Sequence, residues 1–243
     1  MKRRAAIMAV LLLLPLGGRA LAGPFGSPQP EGKEDQFSLG IGYFYNDTEW
    51  KPGGGNFGNV SIRQNHAYLQ ASFPESGFSD SGALFFRVGG ADFDDGQGFK
   101  DGYKPFGTVG IKDVWFDGGA LSFQLGTILQ GSYCPGYKAD QTFLPGSPVS
   151  AKVTSIWDVS LGVAAQKRVL ERIRLYAGPQ VFYGRAKVER IVPGSAESTT
   201  MQEKSLFGGF GGAMVSLRRG LTLTVEGQYR SRFSGGISAS YFF

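Results

Sequence analysis

The sequence predicts an all-β fold: a transmembrane up-and-down antiparallel β-barrel, most naturally of ten strands, with eight and twelve also open. Three observations carry this. From residue 36 onward, segments of about ten residues alternate apolar and polar side chains with period two. The connectors between them alternate between long and short. The chain ends on an alternating aromatic strand, Ile237, Ala239, Tyr241 and Phe243.

Composition agrees. The 243 residues include 38 glycines, and 14% are aromatic, which suits a β protein with tight curvature and many turns. Mean hydropathy is −0.12. Beyond the N-terminus no apolar run approaches the ~18 residues of a membrane-spanning helix, so any crossing is made by strands.

The first 22 residues stand apart. Lys2, Arg3 and Arg4 form a positive start, Ala5 to Leu16 an apolar run, and Ala20-Leu21-Ala22 a small-x-small cleavage site before Gly23. The run is too short to span a bilayer, so residues 1–22 are expected to be a signal peptide removed on export. No cysteine follows the site to carry a lipid anchor. Residues 23–35, rich in Pro and Gly, read as a flexible periplasmic lead-in, and residues 36–243 as the barrel. Cleavage removes Lys2, Arg3, Arg4 and Arg19, leaving 21 basic against 20 acidic residues. The basic character belongs mostly to the leader, so charge gives no ground for a nucleic-acid partner. Cys134 is the only cysteine, which excludes an internal disulfide framework and a thiolate zinc cluster.

Each strand follows from its alternation. The first places Phe37, Leu39, Ile41, Tyr43 and Tyr45 opposite Ser38, Gly40 and Gly42. The second sets Ala67, Leu69, Ala71 and Phe73 against His66, Tyr68, Gln70 and Ser72. The third sets Leu84, Phe86 and Val88 against Phe85, Arg87 and Gly89. In the fourth, Val109, Ile111 and Trp115 alternate with Gly110 and Lys112. The fifth puts Leu121 to Leu129 on one face and Ser122, Gln124, Gly126 and Gln130 on the other. The sixth opposes Trp157, Val159, Leu161 and Val163 to Asp158, Ser160 and Gly162. The seventh (174–187) and eighth (205–217) have glycine and aromatics on both faces. The ninth alternates Leu221, Leu223 and Val225 with Thr222, Thr224, Glu226 and Gln228, and the tenth is the terminal strand.

Long connectors at 46–59, 92–106, 133–152 and 187–204 read as outer loops. Asp117-Gly118-Gly119 and Arg218-Arg219-Gly220 read as periplasmic turns. Ten strands started in the periplasm end there. An open sheet edge in hydrocarbon would leave unpaired backbone groups at several kcal/mol each, which demands closure. Trp50, Trp115, Trp157, Tyr45, Tyr229 and Phe233 fall near strand ends, where an aromatic girdle belongs.

The stretch from Gly208-Gly209-Phe210-Gly211-Gly212 through Glu226-Gly227-Gln228-Tyr229-Arg230 resembles the penultimate hairpin of the bacterial outer-membrane β-barrel superfamily of OmpA-, OmpX- and opacity-type proteins. The terminal Ile237-Ser238-Ala239-Ser240-Tyr241-Phe242-Phe243 resembles the signal read by the barrel-assembly machinery. The resemblance covers about a quarter of the chain. It implies the outer membrane of a Gram-negative-type bacterium, with outer-membrane lipid, lipopolysaccharide, the assembly machinery and periplasmic chaperones as partners. It specifies no substrate. Many family members have eight strands, whereas a mature chain of 221 residues more naturally holds ten.

Candidate chemistry is sparse. Enzymes of this architecture use a histidine base near the outer rim, and His66 is the only histidine; it is expected to face the lumen without a recognisable catalytic motif. The loop Asp92 to Gly102 clusters carboxylates, but Tyr103 stands where an EF-hand needs Glu, so a solvated acidic loop is expected. Gly208 to Gly212 is followed by no helix and no Lys-Ser/Thr, and reads as strand curvature instead of a phosphate loop. The informative set is the lumen charges Arg87, Lys112, Asp158, Glu226 and Arg230. In a barrel this narrow they are expected to pair, as a salt-bridged plug or as the lining of a narrow pore. No cofactor, metal or catalytic residue is expected. The resulting expectation is a non-enzymatic barrel acting through envelope structure or surface-loop binding or adhesion. The alternative is a narrow porin-like channel, and the third reading is a rim enzyme using His66.

Overall fold

The computed structural model describes residues 24–28, 36–53, 59–75, 82–96, 99–119, 123–144, 147–192, 195–217 and 220–243. Its strands, in chain order, are β1 (Ser38–Pro52), β2 (Val60–Glu75), β3 (Gly82–Asp94), β4 (Lys100–Asp117), β5 (Phe123–Cys134), β6 (Tyr137–Leu144), β7 (Ser147–Leu170), β8 (Ile173–Val192), β9 (Ser195–Glu203), β10 (Phe207–Ser216), β11 (Leu221–Tyr229) and β12 (Phe233–Phe242).

Ten of these make a closed antiparallel barrel in the order β1-β2-β3-β4-β5-β7-β8-β10-β11-β12. Closure is made by β12 against β1, from Ser38↔Phe242 to Tyr45↔Gly235. The period-two alternation decides the faces. Ile41, Leu69 and Val88 are 63%, 61% and 61% exposed, while Phe44, His66 and Phe85 on the same strands are fully buried. Apolar side chains thus point outward and polar ones inward, the reverse of a soluble barrel and the arrangement a hydrocarbon surround requires. Aromatics rim the band. Trp157 packs on Tyr183 and Tyr229 on Phe233 at the outer edge; Phe37 packs on Phe73 and Tyr241 on Phe243 at the periplasmic edge.

Three features differ from the sequence reading. First, the connectors at 133–152 and 187–204 are not loops throughout. They contain β6, which pairs with β7 from Tyr137↔Val153, and β9, which pairs with β8 and also reaches β1 at Trp50↔Glu203. About ten residues suffice for a tilted membrane crossing, so β7 (24 residues) and β8 (20 residues) run well beyond the band as an outer ribbon flanked by β6 and β9. Second, Trp50 does not join the girdle. It lies on the inward face of β1, 2% exposed, where its indole N–H donates to Thr48 Oγ1. Third, Pro24–Pro28, expected in a flexible lead-in, is buried inside the barrel.

The lipid-facing band yields a direct test. Leu69 pairs with Ile41 on one side and Val88 on the other. Leu69→Arg is expected to cost about 2–4 kcal/mol in reversible urea unfolding from lipid vesicles, with Leu69→Ala costing less.

Candidate functional site

The lumen is filled from bottom to top by three different kinds of contact. In the periplasmic half the filling is the N-terminal segment. Phe25, 1% exposed, stacks on Phe210 at 4.6 Å between ring centroids. The space for both rings is left by Gly162, where a Cβ would meet Phe210 at 2.7 Å and Phe25 at 3.4 Å. Glu226 clamps the segment: Phe25 N donates to its Oε1 at 2.7 Å and Gly26 N to its Oε2 at 2.6 Å. Gly26 holds φ +73°, a left-handed turn that aims two successive amides at one carboxylate. Tyr176 Oη and Gln228 Nε2 donate to the same carboxylate, each at 2.8 Å. Ser27 Oγ donates to Gln166, which in turn donates to Gln124.

Arg87 and Lys112 stand on the opposite wall. Arg87 donates to Gln70 at 2.6 Å and Gln130 at 3.1 Å, with its guanidinium 4.6 Å from the Phe85 ring centre. Lys112 places its ammonium 5.3 Å from the same ring. The cavity they share with Pro24, Gln70 and Glu226 measures about 10 Å³, the size of one water.

Above this level Arg230 crosses the lumen from the β11–β12 turn. Its Nη1 donates to Asp158 on β7 and its Nη2 to Glu203 on β9, both at 2.8 Å, and its guanidinium lies 3.9 Å from the Phe182 ring centre. The three side chains are 1–4% exposed. This triad pins β9, and with it the outer ribbon, to the membrane barrel.

The outer half is an aromatic and aliphatic cluster that includes Phe44, Trp50, Phe93, Phe99, Phe106, Tyr137 and Ile156. Tyr137 Oη donates to Ala91 O at 2.9 Å and accepts from Gln64 Nε2 and the Cys134 thiol. His66 is fully buried here, 5.0 Å from the Phe106 ring and edge-on to it. Among the described residues neither of its ring nitrogens has a hydrogen-bond partner.

All five charges singled out in the sequence, Arg87, Lys112, Asp158, Glu226 and Arg230, are at most 4% exposed and point inward. Arg230 and Asp158 form an ion pair; Glu226 faces the N-terminal segment, Arg87 holds Gln70 and Gln130, and Lys112 lies over the Phe85 ring. Sequence reasoning missed Glu203, Tyr176 and Phe25, because each comes from a segment whose inward placement depends on tertiary contacts. The terminal residues Ile237, Tyr241 and Phe243 are exposed on the outer face, with Ala239 half-buried between them. The acidic loop spends its carboxylates on its own hairpin and its neighbours: Asp92 accepts from Asn65 N and Nδ2 on β2, and Asp101 from Lys138 N on β6. Asp94 holds Lys100 at 2.9 Å, which keeps its carboxyl below the ordinary range; Asp95 accepts from Phe99 N, and Asp101 holds Lys104. Among the described residues no group of three or more metal-ligating side chains converges.

Closed pairing, the outward apolar band and the girdles define the class: a transmembrane β-barrel of the bacterial outer-membrane type. No family model and no curated protein matches the chain. Among solved structures, it is similar to the translocator domain of the autotransporter NalP from Neisseria meningitidis (12% identity, 100% of this chain and 97% of that one, TM-score 0.49). It is also similar to the outer membrane protease OmpT from Escherichia coli (11%, 89% and 97%, TM-score 0.47). A third is Ail, the attachment invasion locus protein of Yersinia pestis (14%, 86% and 99%, TM-score 0.34).

The triad carries two carboxylates and one cation. Burial pushes the Glu203 carboxyl up from its ordinary 4.5 to about 7, against the pull of Arg230 and with a further push from Asp158. The folded chain then keeps a proton that the unfolded chain releases, so stability is fully present below pH 4.5 and declines as pH rises toward 7. Urea midpoints of the wild type are expected to fall between pH 4.5 and pH 7, and Glu203→Gln is expected to flatten that dependence.

Proposed function

We propose that this chain is a non-enzymatic barrel of the outer membrane, exported by a cleaved signal peptide, that acts through its outer face and its presence in the envelope. The packing of the lumen is the observation that carries this reading. A hydrated ion or solute would have to pass the N-terminal segment, the Arg230 triad and the aromatic cluster in turn, and each is packed or hydrogen-bonded to the wall. The isolated setting of His66 argues against rim chemistry.

What remains available to a partner is the outer ribbon of β6 to β9, a rigid scaffold carrying the exposed segments where binding function concentrates. Charges on and beside it are mixed: Lys152 and Lys187 on the ribbon both reach Glu189, and at its β1 side Glu49 takes Lys204 and Arg232. This reading supports surface binding or adhesion, with membrane lipid and lipopolysaccharide around the band and the assembly machinery and chaperones acting on the terminal strand. Kinship with OmpA-, OmpX- and opacity-type barrels belongs to the same reading.

Purified wild-type protein in planar bilayers is expected to show no steady unitary conductance. Steady channels whose conductance changes in Arg87→Gln would overturn the reading in favour of a narrow pore. For the rim-enzyme alternative, His66→Ala is expected to leave lipid A composition and peptide cleavage unchanged.

A further inference from the structure

The charges at the outer end of the barrel are sorted by wall. On the outward face of β8, Val181 and Tyr183 lead up to Arg185 and Lys187, while Phe182, Gly184 and Ala186 point inward. Arg185 pairs across the ladder with Trp157, whose ring packs on Tyr183 at 5.3 Å. Its Nη2 donates to the Thr200 hydroxyl at 3.4 Å, and it meets no carboxylate among the described residues. Lys187 and Lys152 share one carboxylate, Glu189, at 3.3 and 3.9 Å, with their own side chains 47% and 38% exposed. Among the described residues, three cations thus stand on this wall around a single anion. Across the barrel the balance is reversed: at the outer ends of β3 and β4, Asp94 and Asp101 each hold a lysine, and Asp92 and Asp95 stand beside them.

Height decides what such a patch meets. Trp157 and Tyr183 mark the outer edge of the hydrocarbon. A strand rises about 3.3 Å per residue and is tilted by about 40°, so each residue gains about 2.5 Å along the membrane normal. Arg185 then lies about 5 Å above Tyr183, and Lys187 about 10 Å. The headgroup layer is about 5–8 Å deep on each side of the core, so both long side chains open at its level. Below them Leu161, Val181 and Phe207, all exposed, offer acyl chains an apolar wall.

We propose that Arg185, Lys187 and Lys152 form a docking site for the phosphates of an anionic outer-leaflet lipid. This rests on reading the β6 to β9 side as the outer face. The guanidinium presents a planar fork matched to two phosphate oxygens, and the two ammonium groups add point charge. Glu189 draws the lysines toward each other and still leaves the patch with a positive excess, the condition under which basic clusters beside a membrane take anionic head groups. The lipid lies against the outside of β7 and β8, so binding needs no opening of the lumen.

The test uses the full chain refolded into detergent micelles, its folding checked by heat-modifiable gel mobility, and titrated with diphosphorylated lipid A under native mass spectrometry. The wild type is expected to hold this lipid roughly tenfold or more tightly than Arg185→Gln/Lys187→Gln, with Lys152→Gln weakening it less. Lys167→Gln/Arg168→Gln, at the periplasmic end of β7, is expected to bind like the wild type. Lipid A stripped of its phosphates is expected to bind the wild type roughly tenfold or more weakly, and this comparison decides alone if the outer double variant does not fold. Equal binding by that variant, or of the stripped lipid, overturns the proposal, and so does displacement of lipid A by inorganic phosphate at a comparable concentration. Recovery of the chain outside the outer membrane on cell fractionation overturns the outer-face reading and the proposal with it, whereas the titration outcomes overturn the proposal alone.

Discussion

In hydrocarbon no backbone N–H or C=O can be left without a partner, and this one requirement shapes the chain from its first strand to its last residue. It is met by the pairing of Ser38–Tyr45 with Gly235–Phe242, which joins the two ends of a sheet that would otherwise have two open edges. The same pairing fixes the inward and outward sets, because a slip of one residue would turn Ile41 and Ile237 into the lumen and Gly42 and Ser238 toward lipid. The terminal aromatic strand is therefore a closing strand. Phe243 N still donates to Phe37 O beyond the last paired rung, and its ring rests on Phe37.

Closure creates a second problem, which is the interior. Ten strands enclose a space only somewhat wider than the side chains that line it, and the lining is polar because the outside must be apolar. Buried charges in such a space need partners or they are costly. The chain solves this differently at each depth. Near the periplasm a single carboxylate accepts from a tyrosine, a glutamine and two amides of the N-terminal segment. At the triad, charge meets charge. Toward the outside the strands have left the bilayer, so inward positions can turn apolar, and Trp50, Phe93 and Ile156 make an ordinary hydrophobic core.

Much of this was legible in the sequence, and the limits have physical causes. Strand count, faces and the short turns follow from local periodicity and from glycines such as Gly119 and Gly220, which adopt positive φ. The lumen charges follow from the same periodicity, since Arg87 or Glu226 must point opposite to its apolar neighbours. Trp50 was assigned to the girdle because it sits at a strand end; its side follows from parity with Phe44 and Thr48, a stronger signal than residue type. β6 and β9 were hidden because their polar sequences, such as Ser195–Glu203, lie outside the membrane and need no apolar face. The N-terminal segment was hidden because Pro and Gly signal flexibility in a free chain, whereas here they fit a cramped lumen: Pro brings no N–H, and Gly26 supplies the turn.

The two seals differ in what they couple to. The periplasmic one is made of the chain's own Pro24–Pro28, whose Phe25 and Gly26 amides donate to the Glu226 carboxylate. The outer one is made of three ionisable groups and ties β9 to the β11–β12 turn. β9 spans from β8 to β1, while β10, β11 and β12 run between the same two strands within the membrane. Beside the triad, β9 is also held to β1 by the rungs from Trp50↔Glu203 to Pro52↔Met201 and by the Lys204–Glu49 ion pair. The outer ribbon is thus anchored on the β1 side by ion pairs and these rungs, and on the other by β7 and β8, which continue out of the barrel wall.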